Sequence, residues 1–531
     1  MKRYFIIFSI LASIVLVSSC NKEDLSLNPN AAGPGSTIPL SLVFNRLGNE
    51  LYYGGGVMDG NSGSASETPF SQVMRWNQYF VSNYDYYWSK NSYTWSNTAT
   101  NYGMLKYVVL LDGQISKQLG TTPTPYAALS KFFRAYSLIW FTQRVGDIPA
   151  SEAGNPDNLT PHFDSQHDVY KNSLALLDSA NTVLAKFAQI TPGSTIDGDI
   201  YGLTYLQWQK VINTYKLRVL ISLSKRATDN ADLSIAQQFA TIVNNPDTYP
   251  IMTSTTDNLA YKYNAAYNQY PAYLNKAYNA YANVGKTYLD LTTANLDPRT
   301  FIVATPAPAQ LTAGKVISDF SAYVGADPNT AQSQLFTEAA NGLYSFNNFN
   351  RYFNTADGSS AEPYIIIGYP EMCFNIAEAI NRGWVSGSAE TWYKNGINAS
   401  LAMYGITEGK SLTIADNTGK SLGTVTANLS DFLAKVAYAG DNETGLTQIL
   451  QQKYVAMFHN SGFEAYYNWR RTGQPAFSQG GVGIGTSAYK IPVRWQYPVD
   501  EQVANAANYS SAIQSQYGGS DDVNATMWLL K

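Results

Sequence analysis

Side chains that ordinarily carry chemistry are sparse in this chain of 531 residues. Its three histidines are His162, His167 and His459. The first two stand five apart in a stretch that reads as loop, with no cysteine or carboxylate set spaced to complete a metal site, and are expected to be solvent-exposed. The two cysteines are Cys20 and Cys373. Cys373 lies in the apolar run Met372-Cys373-Phe374, which predicts a buried, inert thiol. Gly405 to Ser411 is one residue short of the spacing that wraps a phosphate, and no buried strand precedes it. The glycines at 480, 481, 483 and 485 miss the dinucleotide fingerprint, and no Gly-x-Ser-x-Gly elbow occurs. No catalytic residue, metal site or cofactor is therefore indicated, and the sequence is silent on structural calcium. A glycosidase needs only two carboxylates a few ångströms apart, an arrangement that leaves no sequence motif.

Binding is the chemistry that remains. A sugar ring offers apolar C–H faces and a rim of hydroxyls, so its site needs flat aromatic platforms edged by Asn, Gln, Asp or Arg. Three charge-poor stretches have that composition. From Phe70 to Trp95 stand Trp76, Tyr79, Phe80, Tyr84, Tyr86, Tyr87, Trp88, Tyr93 and Trp95. Between Asp257 and Asp290 tyrosine recurs at 261, 263, 267, 270, 273, 278, 281 and 288 among Asn and Ala. The third holds Tyr344, Phe346, Phe349 and Tyr352 beside Asn347, Asn348, Asn350 and Arg351. Most aromatics in a chain of this size pack the core. The candidate ligand residues are Trp76, Tyr86, Trp88, Trp95, Tyr267, Tyr270, Tyr273, Tyr278, Phe349 and Tyr352, with Trp88 and Tyr270 the positions whose replacement by alanine is expected to remove binding.

The elements that must position these residues read as helical. Apolar residues recur at helical spacing over Ile38 to Tyr53, Tyr126 to Arg144, a helix begun by Asp164-Ser165, and Tyr201 to Arg226. Further helices are expected over Tyr369 to Arg382, Ala389 to Tyr404, Leu446 to His459 and Gly462 to Thr472. Ser411 to Val425 alternates about Asp416-Asn417-Thr418-Gly419 and predicts a small hairpin. Paired helices closed by glycine turns suit hairpins that stack, although no strict repeat is present. Charged residues are 14% of the chain, against the roughly 25% of soluble domains, and the net charge of −4 provides no positive field for nucleic acid.

The N-terminus bears on location. Lys2 and Arg3 precede an apolar run from Tyr4 to Val17, shorter than the roughly 20 residues of a spanning helix, and small residues lead into Cys20. This resembles a bacterial lipobox, in which the signal peptide, here residues 1–19, is removed and the cysteine carries lipid. Asn21-Lys22-Glu23-Asp24 is similar to the surface-export tag of lipoproteins in the Bacteroides group. Residues 20–36 then read as lipidated Cys20 and a flexible tether, and 37–531 as one domain.

In order along the chain, several blocks resemble the SusD/RagB nutrient-binding outer-membrane lipoproteins, in the branch called SusD-like, starch-binding associated with the outer membrane. These blocks are KFFRAYSLIWFTQRVGDIPASEA, FDSQHDVYKNSLALLDSA, YGLTYLQWQKVINTYKLRVLISLSKR, NLDPRTF and YPEMCFNIAEAINRGW with the helix YKNGINASLAMYG after it. The closing blocks match through Gln452-Lys453-Tyr454, Glu464, Trp469, Arg470-Arg471-Thr472-Gly473, Pro492, Arg494, Tyr497-Pro498, Glu501 and Asn505. Physically they read as structural, with Arg470 and Arg471 expected to face Glu464 or Glu501.

The resemblance implies a mainly α fold of tetratricopeptide-like helix hairpins packed against an irregular ligand-bearing region. It also implies a non-enzymatic, lipid-anchored protein of the outer membrane, facing outward, that binds an oligosaccharide and delivers it to a SusC-like TonB-dependent transporter. Ligand residues do not carry over from the family. Three other readings stay open: a peptide ligand on the same fold and partner, an anchored glycoside hydrolase, and a lid with no ligand site of its own.

Overall fold

In a computed structural model the residues described are 35–53, 67–93, 95, 102–155, 157–266, 268–272, 279–354 and 362–531. The signal segment, Cys20 and all of the tether before Gly35 lie outside them, as do Tyr267, Tyr273 and Tyr278. Among the described residues no helix is long and apolar enough to cross a membrane.

The first helices form where local chemistry closes their ends. Thr124 caps the helix Pro125–Val145 by accepting a bond from the Ala127 amide at 3.1 Å, worth about 1 kcal/mol, and Pro125 stands in the first turn. Gly146 ends it at φ 107°, in close packing where a Cβ would lie 2.2 Å from Gln516 Oε1 and 2.4 Å from the Tyr517 hydroxyl. Asp147 then accepts the Gln166 amide at 2.7 Å, and the Tyr497 hydroxyl donates to the Asp147 carbonyl at 2.6 Å. The Gly-Asp-x-Pro block is thus a corner that ties two helices to the C-terminal segment. Ser165 caps the next helix, Gln166–Ile190, and a Thr204–Gln207 capping box opens Tyr205–Ser222.

These helices pack as neighbours in sequence order, joined by Leu40–Tyr53 and Tyr102–Leu119. A second group, Tyr369–Asn381, Ala389–Met403 and Glu443–Ala456, packs in the same manner, and Tyr369–Asn381 also meets Tyr205–Ser222. Phe132, Phe133, Trp208, Met372, Phe374, Ile376 and many others join one continuous core, each large apolar side chain contributing about 1.5–3 kcal/mol on burial. The result is a mainly helical fold of stacked hairpins, as the periodicity predicts. Each expected helix appears, with ends shifted by a few residues.

Buried charged pairs fix the register between the groups. Arg218 grips Glu371 with two bonds, Nε–Oε1 at 2.7 Å and Nη2–Oε2 at 2.6 Å. Arg471 binds Glu378, with Nη2–Oε2 at 2.9 Å, and Lys453 donates to Asn375 at 2.6 Å and Asn468 at 2.9 Å. Arg299, fully buried, binds Asp297 from the same turn and reaches Ser400 and Gln452. Burial would raise the Glu378 carboxyl, but the facing Arg471 guanidinium overrides it and brings the group down to about 2. The expected partners of Arg470 and Arg471 are corrected here. Arg471 meets Glu378 of the helix Tyr369–Asn381, and Arg470 donates to the carbonyls of Val493 at 2.9 Å and Gln143 at 2.6 Å. A carboxylate nearby in sequence is not a partner when the helix end faces another hairpin.

Three antiparallel two-stranded ribbons complete the described structure. β1 (Phe80–Ser82) pairs with β3 (Ala282–Val284). β2 (Leu259–Tyr261) pairs with β4 (Tyr364–Ile367) through an irregularity at Leu259/Ala260. The expected hairpin is β5 (Ser411–Ala415) with β6 (Ser421–Thr426), its turn held by Asp416 Oδ1, which accepts the Thr418 and Lys420 amides at 2.9 and 3.0 Å. The phosphate-loop-like Gly405–Ser411 merely leads into β5.

Candidate functional site

β1 and β3 join two of the tyrosine-rich stretches, so their flanking residues meet although they are about 200 positions apart. Tyr84 follows β1, Tyr281 precedes β3, and the short helix Asp85–Trp88 presents Tyr86 and Tyr87 beside them. Tyr87 stacks on Tyr281 with centroids 5.0 Å apart at 28°, and Tyr84 lies 5.1 Å from Tyr281. Tyr86 stands edge-on to Tyr87 at 5.0 Å. Phe336, from the helix Gln332–Ala340, closes the group 5.4 Å from Tyr84. Unlike the core clusters, this one faces outward: Tyr86 is 79% exposed, Phe336 45% and Tyr87 37%.

Amides hold the platform in place. The Ser82 amide donates to Asn91 Oδ1, and Asn91 Nδ2 returns a bond to the Ser82 carbonyl, both at 2.8 Å. Gln332 also donates to that carbonyl at 3.0 Å. Asn83 donates to the Ala280 carbonyl at 3.0 Å and to Asn283 Oδ1 at 2.7 Å. These buried groups satisfy a backbone that has little regular ladder to do so. Asn83, Asn91 and Asn283 therefore serve as scaffold for the ribbon.

The candidate ligand residues are distributed as follows. Tyr86 is in the outward cluster. Trp88, on the same short helix, turns inward against Phe70 and Phe80. Trp95 is buried and stacked on Trp495 at 3.7 Å and 5°, with Trp76, Tyr466 and Phe463 packed at steep angles around the pair. Tyr270 packs edge-on against Tyr263, and Tyr352 against Phe70; both are fully buried. Trp88, Trp95, Tyr270 and Tyr352 are thus corrected to core residues. Their hydrophobic area is better removed from water by packing than left as a platform, and the rings across the fold that cover them leave no local sequence signal. Trp76 and Phe349 are half-buried and stand apart from the cluster, Trp76 donating its indole N–H to the Ser92 carbonyl at 3.0 Å and Phe349 lying parallel to Phe353. Tyr267, Tyr273 and Tyr278 fall outside the described residues. Tyr84, Tyr87 and Tyr281 belong to the aromatic stretches but were not among the candidates, and Phe336 lies in a helix with no aromatic enrichment. For the tyrosines a signal did exist: Asp85-Tyr86-Tyr87 lacks an apolar period and so cannot bury every ring.

The groups with titratable chemistry sit elsewhere. Cys373 is buried, and burial pushes its thiol up to about 12. His162 is exposed, with Glu152 at 3.0 Å from Nδ1 and Asp164 at 3.4 Å from Nε2; His167 lies between Asp168 and Asp232. The expectation that both are solvent-exposed loop histidines is corrected for His167, which is half-buried in the first turn of a helix. In each case the carboxylates approach opposite nitrogens of the ring and cannot share one ion with it. Among the described residues no three His, Cys, Asp or Glu side chains converge in a way that could hold a metal.

The described structure is thus one of stacked helical hairpins with an outward aromatic cluster beside a short ribbon. The chain belongs to the SusD-like family described as starch-binding associating with outer membrane, whose profile matches residues 44–498. Among solved structures it is similar to a SusD homologue of Bacteroides fragilis, with 28% identity, a TM-score of 0.76, and coverage of 93% of this chain and 100% of that one. A second SusD homologue of the same organism gives 28% identity, a TM-score of 0.72, and coverage of 93% and 99%. A chitin-binding protein shares the fold at 23% identity, a TM-score of 0.67, and coverage of 92% and 99%. No curated protein matches the chain.

Proposed function

We propose that this protein is an outer-membrane lipoprotein, anchored through Cys20 and facing the exterior, that captures a glycan on the Tyr84–Tyr86–Tyr87–Tyr281–Phe336 platform. It delivers that glycan to a SusC-like TonB-dependent transporter and does no chemistry on it. The observation that carries the reading is a surface group of five neighbouring aromatic rings, Tyr86, Tyr87 and Phe336 exposed and Tyr84 and Tyr281 half-buried, whereas the other large aromatic clusters among the described residues are enclosed. Exposed aromatic surface of this kind is costly to keep in a soluble region unless a partner covers it. Stacked and edge-on rings offer flat faces to the C–H sides of sugar rings. Membership of a starch-binding, outer-membrane-associated family and the fold shared with a chitin-binding protein support a glycan as the class of ligand.

The test is binding of the chain from Asn21 onward, made without lipid, to a panel of polysaccharides and peptides, with product release followed in parallel. Glycan retention without cleavage, lost when Tyr87 and Tyr281 are both replaced by alanine, is the expected result. Binding of peptides alone would move the ligand class, and release of reducing ends would sink the non-enzyme reading. Co-purification with an outer-membrane barrel tests delivery, and its failure would count against that step.

A further inference from the structure

The β2–β4 ribbon has two unlike faces. Leu259, Tyr261 and Tyr263 alternate inward with Tyr364, where Tyr52 stacks on Tyr261 at 4.1 Å. The intervening residues Ala260, Lys262, Pro363 and Ile365 face the other way and line a cavity of about 390 Å³. That volume lies near the lower end of the ~300–1,000 Å³ typical of small-molecule sites. The opposite walls come from Tyr201 and Leu203, the short turn Thr255–Asn258, and Met403 and Tyr404 at the end of a helix. The cavity shares no residue with the aromatic platform.

Its polar lining favours a particular ligand chemistry. Asn258 uses its Oδ1 on the Tyr369 amide, which leaves the Nδ2 donor for the cavity. Lys262 makes no ion pair among the described residues, and the Thr255 and Tyr404 hydroxyls make no side-chain hydrogen bond there. Glu362 is the lining's one carboxylate among those residues, and Arg351 already pairs with it. The lining thus offers one uncompensated cation and several neutral donors, with Met403, Leu203 and the rings of Tyr201 and Tyr404 as walls. A free peptide would need a carboxylate for its ammonium, and the available one is taken. A polyhydroxy ring bearing one carboxylate satisfies the whole set.

We propose that this cavity is a second binding site, for an acidic mono- or disaccharide whose uronate carboxylate pairs with Lys262 while its hydroxyls meet Thr255, Asn258 and Tyr404. It is independent of the platform and deepens the capture role by adding selectivity for charged sugar units.

Calorimetric titration of the chain from Asn21 with digalacturonate and with glucuronate, set against neutral galactobiose, tests this. At least one uronate should bind at least tenfold more tightly than galactobiose. Lys262→Gln should weaken that binding about tenfold and flatten its salt dependence, and Ala260→Phe should abolish it by filling the cavity. The Tyr87→Ala/Tyr281→Ala pair should leave it unchanged, which separates its failure from failure of the platform. No binding of either uronate, equal binding of galactobiose, tighter binding of a dipeptide such as Ala-Ala, or indifference to Lys262→Gln would each overturn the proposal. If Ala260→Phe does not fold, Lys262→Gln decides alone.

Discussion

The helical hairpins and the aromatic ribbon region solve the same problem with different materials. The hairpins bury charged pairs that tie one element to another, Arg218 with Glu371 and Arg471 with Glu378, and Arg299 pairs with Asp297 beside them, together with amides such as Gln209 and Asn213, which both donate to Asn181. Around β1 and β3 the ties are neutral amides, Asn83, Asn91, Asn283 and Gln332, bonded to carbonyls or to each other. A charged pair fixes the register between long elements but is costly to break, because the survivor stays buried. An amide network holds short irregular segments at lower cost per group. If the outward rings are the proposed ligand surface, the difference separates what holds the molecule together from what touches a ligand, and substitutions on the two sides should behave differently.

The largest effect is expected from Arg218→Ala, which leaves Glu371 buried without its partner. Loss of about 3–5 kcal/mol in urea denaturation is expected, while Arg218→Met with Glu371→Leu should recover much of it. A loss under 1 kcal/mol would mean that the pair is not what couples the two helix groups. Trp95→Ala comes next. Although it lies in the aromatic stretch, it is stacked inside the core on Trp495, and it should cost about 3–5 kcal/mol in the same measurement. If it instead removed glycan binding at unchanged stability, the division between core and platform rings would be wrong.

These cases show what could be read from the chain alone. Helix positions were legible, because the apolar period, Thr124-Pro125 and Ser165 are local signals. So was the β5–β6 hairpin, whose strands are separated by one turn. The β1–β3 and β2–β4 ribbons were not, because strands about 200 and 105 positions apart leave no mark in either sequence neighbourhood. Without that pairing, Tyr281 could not be brought to Tyr87. For the same reason composition found the right stretches but the wrong rings: in Tyr86-Tyr87-Trp88 two neighbours face outward and the third inward. The alternation Leu259-Ala260-Tyr261-Lys262-Tyr263 was visible as text, yet the abundance of tyrosine drew attention to the residues that turn inward.

A smaller effect sharpens the electrostatic side of the comparison. Glu464, close to the paired charges, has no cation bound to it among the described residues, and burial pushes its carboxyl up to about 7. A carboxyl raised in the folded state adds stability that is fully present below about 4.5 and is lost as pH rises through about 7. Glu464→Gln should remove that fall. The stability difference between variant and parent should grow in the variant's favour from pH 5 to pH 8, by roughly 1–2 kcal/mol. Glu378, held at about 2, titrates outside this window, and its substitution should not produce the same profile. A flat difference across the range would show that Glu464 is not held in its neutral form.

On the ligand side, Tyr87→Ala with Tyr281→Ala should reduce glycan affinity at least tenfold, about 1.4 kcal/mol, with a far smaller stability change than Trp95→Ala.

Tyr86→Ala should have the smallest effect on the fold and is the sharpest discriminator. The ring is 79% exposed, edge-on to Tyr87 and tilted against Tyr84 with centroids 6.3 Å apart. Surface substitutions of this kind stay within about 0.5 kcal/mol of the parent, so urea denaturation should scarcely distinguish the two proteins. If the ring belongs to the platform, glycan affinity should nevertheless fall two- to fivefold, less than for the Tyr87/Tyr281 pair because an exposed outer ring excludes less water from the contact. A change in binding without a change in stability is the pattern that a purely structural aromatic cannot give. A change in neither would confine the platform to Tyr84, Tyr87, Tyr281 and Phe336.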